Sequence, residues 1–265
     1  MNRIEKKFRD LKRNRQKALI VYITAGDPDM ATTRRLIKAL GKSGADIIEL
    51  GIPFSDPLAD GPTIQAASQR ALKKGASMRD IMRMVKLVRR ESDIPIVFMS
   101  YFNPVLQYGL QAFINDAQEA GVDGLIIPDL PQEESGAIIG LSSGHGFSVI
   151  LLAAPTSTDK RLKAIGAKSK GFIYYVSLTG VTGARARLPK NIIANVRKLK
   201  KMTRRPVCVG FGVSTRRQAK MIASIADGVI IGSAVIKVIE ANAGKKDMVE
   251  KAAKFVADIA KGVKS

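Results

Sequence analysis

Eight short runs rich in β-branched and other apolar residues recur along the 265-residue chain, and amphipathic helical patterns separate them. The runs are apolar on both faces, as expected of parallel strands covered by helices outside and by a packed interior inside. Together these observations predict an α/β protein folded as a single (β/α)8 barrel of the TIM type. It carries an extra N-terminal helix and a short extra helix after strand eight. Residues 1–265 read as one domain, because no linker, low-complexity tract or shift in composition divides them.

The elements follow in order. Residues 2–15 form a charged amphipathic helix suited to covering the barrel bottom. The strands are expected at 18–24 (ALIVYIT), 46–50 (DIIEL), 95–99 (PIVFM) and 123–127 (DGLII). Four more are expected at 147–152 (FSVILL), 171–175 (GFIYY), 206–210 (PVCVG) and 227–231 (DGVII). Helical spacing is clear at 62–74, 78–91 and 110–120. Gly or Asp stands before several strands, as in Ser43-Gly44-Ala45-Asp46 and Ala120-Gly121-Val122-Asp123, which fits a helix C-cap and a short turn.

Composition excludes several classes. With 46% apolar residues the chain can bury a large core, and no run approaches the ~18 apolar residues of a membrane span. A lone cysteine, Cys208, rules out a disulfide framework and suits a reducing compartment; with no apolar leader at the N-terminus, a cytoplasmic location is expected. The net charge is +21, and residues 160–226 hold 17 Lys or Arg without one acid. Such a balance permits binding to nucleic acid, an anionic substrate or an acidic partner. Nucleic-acid motifs and interleaved aromatics are missing, so the charges read as solvated helix faces.

The richest segment is ELGIPFSDPLADGPTIQ, residues 49–65. Glu49 sits in an apolar strand between Ile48 and Leu50, and Asp60 lies in the Gly/Pro-rich loop that follows. A carboxyl on a buried strand is costly unless paired or working, and desolvation raises its pKa toward the range useful for proton transfer. Two acids in different environments make an acid/base pair. Asp56, in the same loop, reads equally well as a turn cap. The barrel rule puts chemistry at the C-terminal strand ends, where Tyr22, Tyr101, Tyr174 and Tyr175 also fall. Converging there, they would line a pocket for a flat apolar substrate.

Glycine-rich loops follow the last three strands: LTGVTG at 178–183, GFGVS at 210–214 and GSA at 232–234. Ser233 opens a short helix whose free amides suit an anion, and phosphate is often held after strands seven and eight of such barrels. No Lys stands at a strand end for Schiff-base chemistry, and without His or Cys clusters no catalytic metal is expected. The single His145 lies in a turn on the bottom side. What remains is carboxylate acid/base chemistry on a phosphorylated, aromatic substrate.

The motifs ITAGDPD (23–29), ELGIPFSDPLADGPTIQ (49–65), YFNP (101–104), PDLP (128–131), TGVTGAR (179–185), VGFGVS (209–214) and IIGSA (230–234) resemble those of the tryptophan synthase α subunits. The likeness runs from the first helix to the last. It implies a (β/α)8 barrel that cleaves indole-3-glycerol phosphate to indole and glyceraldehyde 3-phosphate without a cofactor of its own. Indole then passes to a β subunit that carries pyridoxal phosphate, in an α2β2 heterotetramer. On this resemblance Glu49 is the general acid/base, Asp60 binds the indole N–H, and Tyr174 is an active-site tyrosine. Tyr22, Met99, Tyr101, Ile126, Leu152, Phe211 and Ile230 line the indole pocket. Gly183, Gly212, Gly232 and Ser233 hold the phosphate. Loops 53–61 and 178–188 match segments that close over substrate and signal to the β subunit. Val21 and Phe172 depart from the family pattern, away from the acid/base pair.

Two rival readings remain open at this point. One is a stand-alone indole-3-glycerol phosphate lyase of the same fold. The other is a basic nucleic-acid-binding scaffold using residues 160–226. The charge also raises the expectation that a β partner carries an acidic patch.

Overall fold

The computed structural model describes residues 2–144, 146–176, 190–210 and 212–265. His145, Gly183, Phe211 and the loop 178–188 therefore lie outside the described residues.

The chain runs α1(Arg3–Arg13), β1(Ala18–Thr24), α2(Met30–Lys42), β2(Ile47–Gly51), α3(Pro62–Lys73), α4(Met78–Arg89), β3(Ile96–Met99), α5(Phe102–Tyr108) and α6(Leu110–Ala120). It continues β4(Gly124–Ile126), α7(Gly136–Leu141), β5(Ser148–Ile150), β6(Leu152–Ala153), α8(Asp159–Lys168), β7(Ile173–Val176) and α9(Lys190–Met202). Last come β8(Val207–Gly210), α10(Arg216–Ala223), β9(Gly228–Ile231), α11(Ser233–Ala241) and α12(Met248–Val263).

All pairings are parallel, in the order β5-β4-β3-β2-β1-β9-β8-β7-β6. The expected fifth strand is present but interrupted at Leu151, whose N–H bonds the Ser169 hydroxyl at 3.0 Å and not a neighbouring strand. Strands β5 and β6 are thus two halves of one stave, and the described residues form a ring of eight. Cα partners lead from Ser148 through Gly124, Val97 and Glu49 to Tyr22. The other way, Leu152 leads through Tyr174, Cys208 and Gly228 to Ala18. The two paths are offset by four residues on β1 and four on the fifth stave, which is the shear of eight typical of this barrel.

That register sends one parity of every strand inward. Ala18, Ile20, Ile47, Val97, Ile126, Ile150, Cys208 and Ile230 fill the interior. Ile4, Phe8 and Leu11 of α1 plug it from below, with the Phe8 and Phe172 rings 5.8 Å apart. The opposite parity packs under the outer helices in a second, larger apolar shell. Helix α5 covers part of the YFNP motif, and Pro104 falls in its first turn, where a proline is tolerated.

Candidate active site

The inward parity of β2 carries Ile47 low in the barrel and Glu49 one layer higher, toward the C-terminal mouth. Glu49 is 1% exposed, and its Oε2 has no hydrogen-bond partner among the described residues. Burial, aided by the charge of Asp60, pushes its pKa up to about 8. A buried carboxyl oxygen left unpaired is costly in a folded protein and signals a group waiting for a partner.

Asp60 ends the loop after β2, directly before Gly61, the N-cap of α3. The loop is braced locally: the Asp60 N–H donates to the Pro57 carbonyl at 3.0 Å, and Gln65 Nε2 donates to the Asp60 carbonyl at 2.9 Å. Burial raises the carboxyl to about 6, and a hydrogen bond with Tyr101 holds it back from rising further. Tyr101 serves the loop twice, because its hydroxyl also accepts the Ala59 N–H at 2.9 Å. Its ring lies 5.4 Å from that of Phe54. The tyrosine stands outside the ring, at the N-cap of α5, and so reaches the loop from the side.

Tyr22 and Tyr174 come from β1 and β7, which the sheet order places well apart around the ring, and both face the two acids. Burial and those negative charges raise both hydroxyl pKa values, so the phenols stay neutral. Tyr22 bonds the Thr24 hydroxyl at 3.3 Å. Two glycines make room for these rings, and neither was singled out from the sequence. A Cβ on Gly51 would lie 2.1 Å from the Tyr22 hydroxyl, and one on Gly210 would lie 2.8 Å from that of Tyr174. Both residues stand inside quoted motifs, but only packing reveals what they accommodate.

Met99, adjacent in register to Ile126, and Leu152, adjacent to Tyr174, are half-buried at the mouth. Ile126 and Ile230 are buried and form the floor beneath it. Gly232 and Ser233 begin α11 beside Tyr22, with the site of a Gly232 Cβ 3.3 Å from the Tyr22 Cβ. Gly212, at φ +59°, is exposed on the neighbouring loop, where a Cβ would meet nothing among the described residues. The described candidates therefore gather at the C-terminal mouth of the barrel, with acids on the β2 side and, on the β9 side, the start of α11, which has no side-chain cap among the described residues. Among the described residues no group of three His, Cys, Asp or Glu is placed to hold a metal. No helix among them is long and apolar enough to cross a membrane.

Comparison with known proteins points to one family. The family model described as "Tryptophan synthase alpha chain" matches residues 8–264. The tryptophan synthase alpha chain of Geotalea daltonii is 50% identical over 246 residues, 93% of each chain. That of a Thermoanaerobacter species is 48% identical over 259 residues, 98% of each. The crystal structure of subunit alpha from Legionella pneumophila superposes with a TM-score of 0.92 at 41% identity, covering 99% of this chain and 98% of that one. A chain from the Pyrococcus furiosus tryptophan synthase a2b2 complex, described as showing mutual activation, gives 0.86 at 41% identity, covering 92% and 98%. With nearly its whole length matched by the family model and by relatives near half identity, the chain belongs to the tryptophan synthase alpha chain family.

Proposed function

We propose that Glu49 and Asp60 carry out the family's lyase reaction, cleaving indole-3-glycerol phosphate to indole and glyceraldehyde 3-phosphate. The observation that carries this reading is the buried, unpaired Glu49 carboxyl facing a second, less buried acid. With Glu49 raised to about 8 and Asp60 to about 6, at neutral pH the first holds a proton and the second is mostly ionised.

Those two states are the ones the reaction needs. Glu49 gives its proton to indole C3, and the positive charge that develops on the ring nitrogen is held through its N–H by the Asp60 carboxylate. Glu49, now ionised, takes the proton of the adjacent glycerol hydroxyl. The bond from C3 to that carbon breaks, its electron pair returns to the indole ring, and the carbon becomes the aldehyde. Glu49 ends protonated, so no cofactor is consumed. Tyr22, Tyr174, Met99 and Leu152 shape the slot for the ring, and Gly212, Gly232 and Ser233 receive the phosphate at the start of α11. The roles of Gly183 and Phe211 rest on the sequence resemblance.

The indole passes to a β subunit bearing pyridoxal phosphate, in an α2β2 assembly. Support comes from the loop after β2, where Leu58 is 92% exposed, and from Leu106 of neighbouring α5, which is also exposed. Apolar side chains presented at the mouth suit a partner surface better than a stand-alone lyase. A cytoplasmic location and a single-domain chain complete the reading. The test is turnover of indole-3-glycerol phosphate by Glu49→Gln and Asp60→Asn. Each should lose on the order of 10²-fold or more in kcat, with substrate binding retained. Near wild-type turnover by either would refute its assignment.

A further inference from the structure

The ITAGDPD segment contributes no side chain to the chemistry above, yet Asp27 is 2% exposed and carries a buried carboxylate at the barrel mouth. Its partner is Arg70, in the last turn of α3. Arg70 Nε donates to Asp27 Oδ1 at 2.9 Å and Nη2 to Oδ2 at 2.8 Å, a two-pronged fork. The remaining arm, Nη1, donates to Glu240 Oε1 of α11 at 2.6 Å. One guanidinium thus ties three elements whose other ends all reach the site. The Asp27 turn leaves β1 just after Tyr22 and Thr24, with the Asp27 N–H donating to the Thr24 carbonyl at 3.3 Å. Helix α3 begins at the residue after Gly61, next to Asp60. Helix α11 begins at Ser233. The turn itself allows little slack, because Gly26 has φ +82° and a Cβ there would lie 2.9 Å from Ala76 Cβ.

We propose that Arg70 is a positioning residue that sets the start of α11, and so the phosphate-binding amides, relative to Asp60 and Tyr22. A helix moves as a rod, so a tether near its C-terminal end limits the tilt of its N-terminus. A planar guanidinium can bind two carboxylates in fixed directions where an ammonium cannot. The Glu240 arm of the clamp acts on the phosphate end of the site, whereas the Asp27 fork holds the Asp60 and Tyr22 side. The inference rests on reading the start of α11 as the phosphate subsite.

The test separates geometry from charge. Glu240 lies seven residues beyond Ser233, about 10 Å along the helix. If Glu240 acted only as a negative charge, Glu240→Gln would tighten anion binding slightly by removing repulsion. As one anchor of the clamp, its loss should weaken that binding. The full-length chain is titrated calorimetrically with inorganic phosphate and, separately, with indole. We expect Glu240→Gln to weaken phosphate by roughly 3- to 10-fold, the scale of coupling through a tether, with indole affinity unchanged. Arg70→Lys, which also loses the Asp27 fork, should weaken phosphate more strongly. Glu240 is half-exposed, so its amide variant is expected to keep the wild-type melting temperature and decides the matter if Arg70→Lys fails to fold. In Glu240→Gln, phosphate affinity that is unchanged or tighter, or equal losses for phosphate and indole, would overturn the clamp. Failure of the wild-type chain to bind phosphate would instead overturn the α11 subsite reading.

Discussion

At the scale of single residues, the site is defined by where two carboxyl groups sit. Glu49 is sealed inside the barrel and Asp60 sits at its rim, and that difference in burial is the main cause that separates their pKa values, with the Tyr101 hydrogen bond holding Asp60 lower. The pH dependence of kcat/KM should therefore be a bell for the pair. Activity falls in acid as Asp60 takes a proton below about 6, and in base as Glu49 loses its proton above about 8. Asp60→Asn should erase the acid limb of its residual rate, and a retained limb would assign that titration elsewhere. Stability gives a second, independent reading. The unfolded chain releases the Glu49 proton near 4.5 and the folded chain only near 8, so between these values the native state binds more protons. Wild-type stability should then decline from pH 4.5 to 8 through this group. Glu49→Gln lacks that decline and should become progressively more stable than wild type over the same window, as urea unfolding at several pH values can establish. A constant difference would mean that Glu49 is not desolvated in solution. Glu49 was recognisable beforehand because an acid in an apolar strand breaks a local pattern. Gly51 and Gly210 break none, and their purpose appears only when Tyr22 and Tyr174 lie over them.

At the scale of elements, the barrel bottom repeats one device. Asp46, Asp123 and Asp227 each precede a strand and accept the first free N–H of a neighbouring strand: Leu19 at 2.8 Å, Ile96 at 2.8 Å and Val207 at 3.0 Å. Each also meets a cation: Lys264 for Asp46, Arg89 for Asp123 and Lys200 for Asp227. The sequence shows these acids as turn residues before strands, while their partners lie on the neighbouring strand and at the outer helices. Asp123 is the most enclosed, with burial raising its pKa against the pull of Arg89. Asp123→Ala would leave the buried Arg89 charge and the Ile96 N–H unpaired and should cost about 3–5 kcal/mol in chemical unfolding. A loss near zero would show that the Arg89 bonds to the Gly121 and Ile94 carbonyls suffice. At the opposite end, Gly232→Val puts a branched side chain where α11 begins and crowds Tyr22. Losing one or two amide bonds to a charged phosphate should raise KM by about tenfold or more. Indole binding should change much less, and equal losses would point to misfolding of the mouth.

For the whole molecule, the two most exposed leucines and the basic helices lie on different sides of the ring. Leu58 and Leu106 flank β2 and β3, whereas the basic helices α8, α9 and α10 cover β6 to β9, across the ring. An acidic patch on a β subunit seated over Leu58 would therefore feel the +21 charge mainly at long range. That arrangement predicts a division of labour in complex formation. Added salt should slow association by tenfold or so while changing dissociation little, because contact at the mouth is largely apolar. Stopped-flow mixing of the chain with its cognate β subunit at low and high salt would show it. A dissociation rate that rises with salt as steeply as association falls would place the basic face inside the interface.

Strand and helix periodicity repeated eight times is a local property, so the barrel is legible residue by residue. With the barrel known, the C-terminal ends of its strands point to Glu49, Asp60 and the late glycines. The division of the fifth stave at Leu151 depends instead on a hydrogen bond from a serine 18 residues away. The Arg70 clamp joins residues 43 and 170 positions distant, with no motif spanning them. The spread between the two carboxyl pKa values depends on how far each group is withdrawn from water. Local pattern specifies which elements form and where their ends fall. Burial, cross-barrel partners and the charge state of the site exist only once those elements have closed around one another.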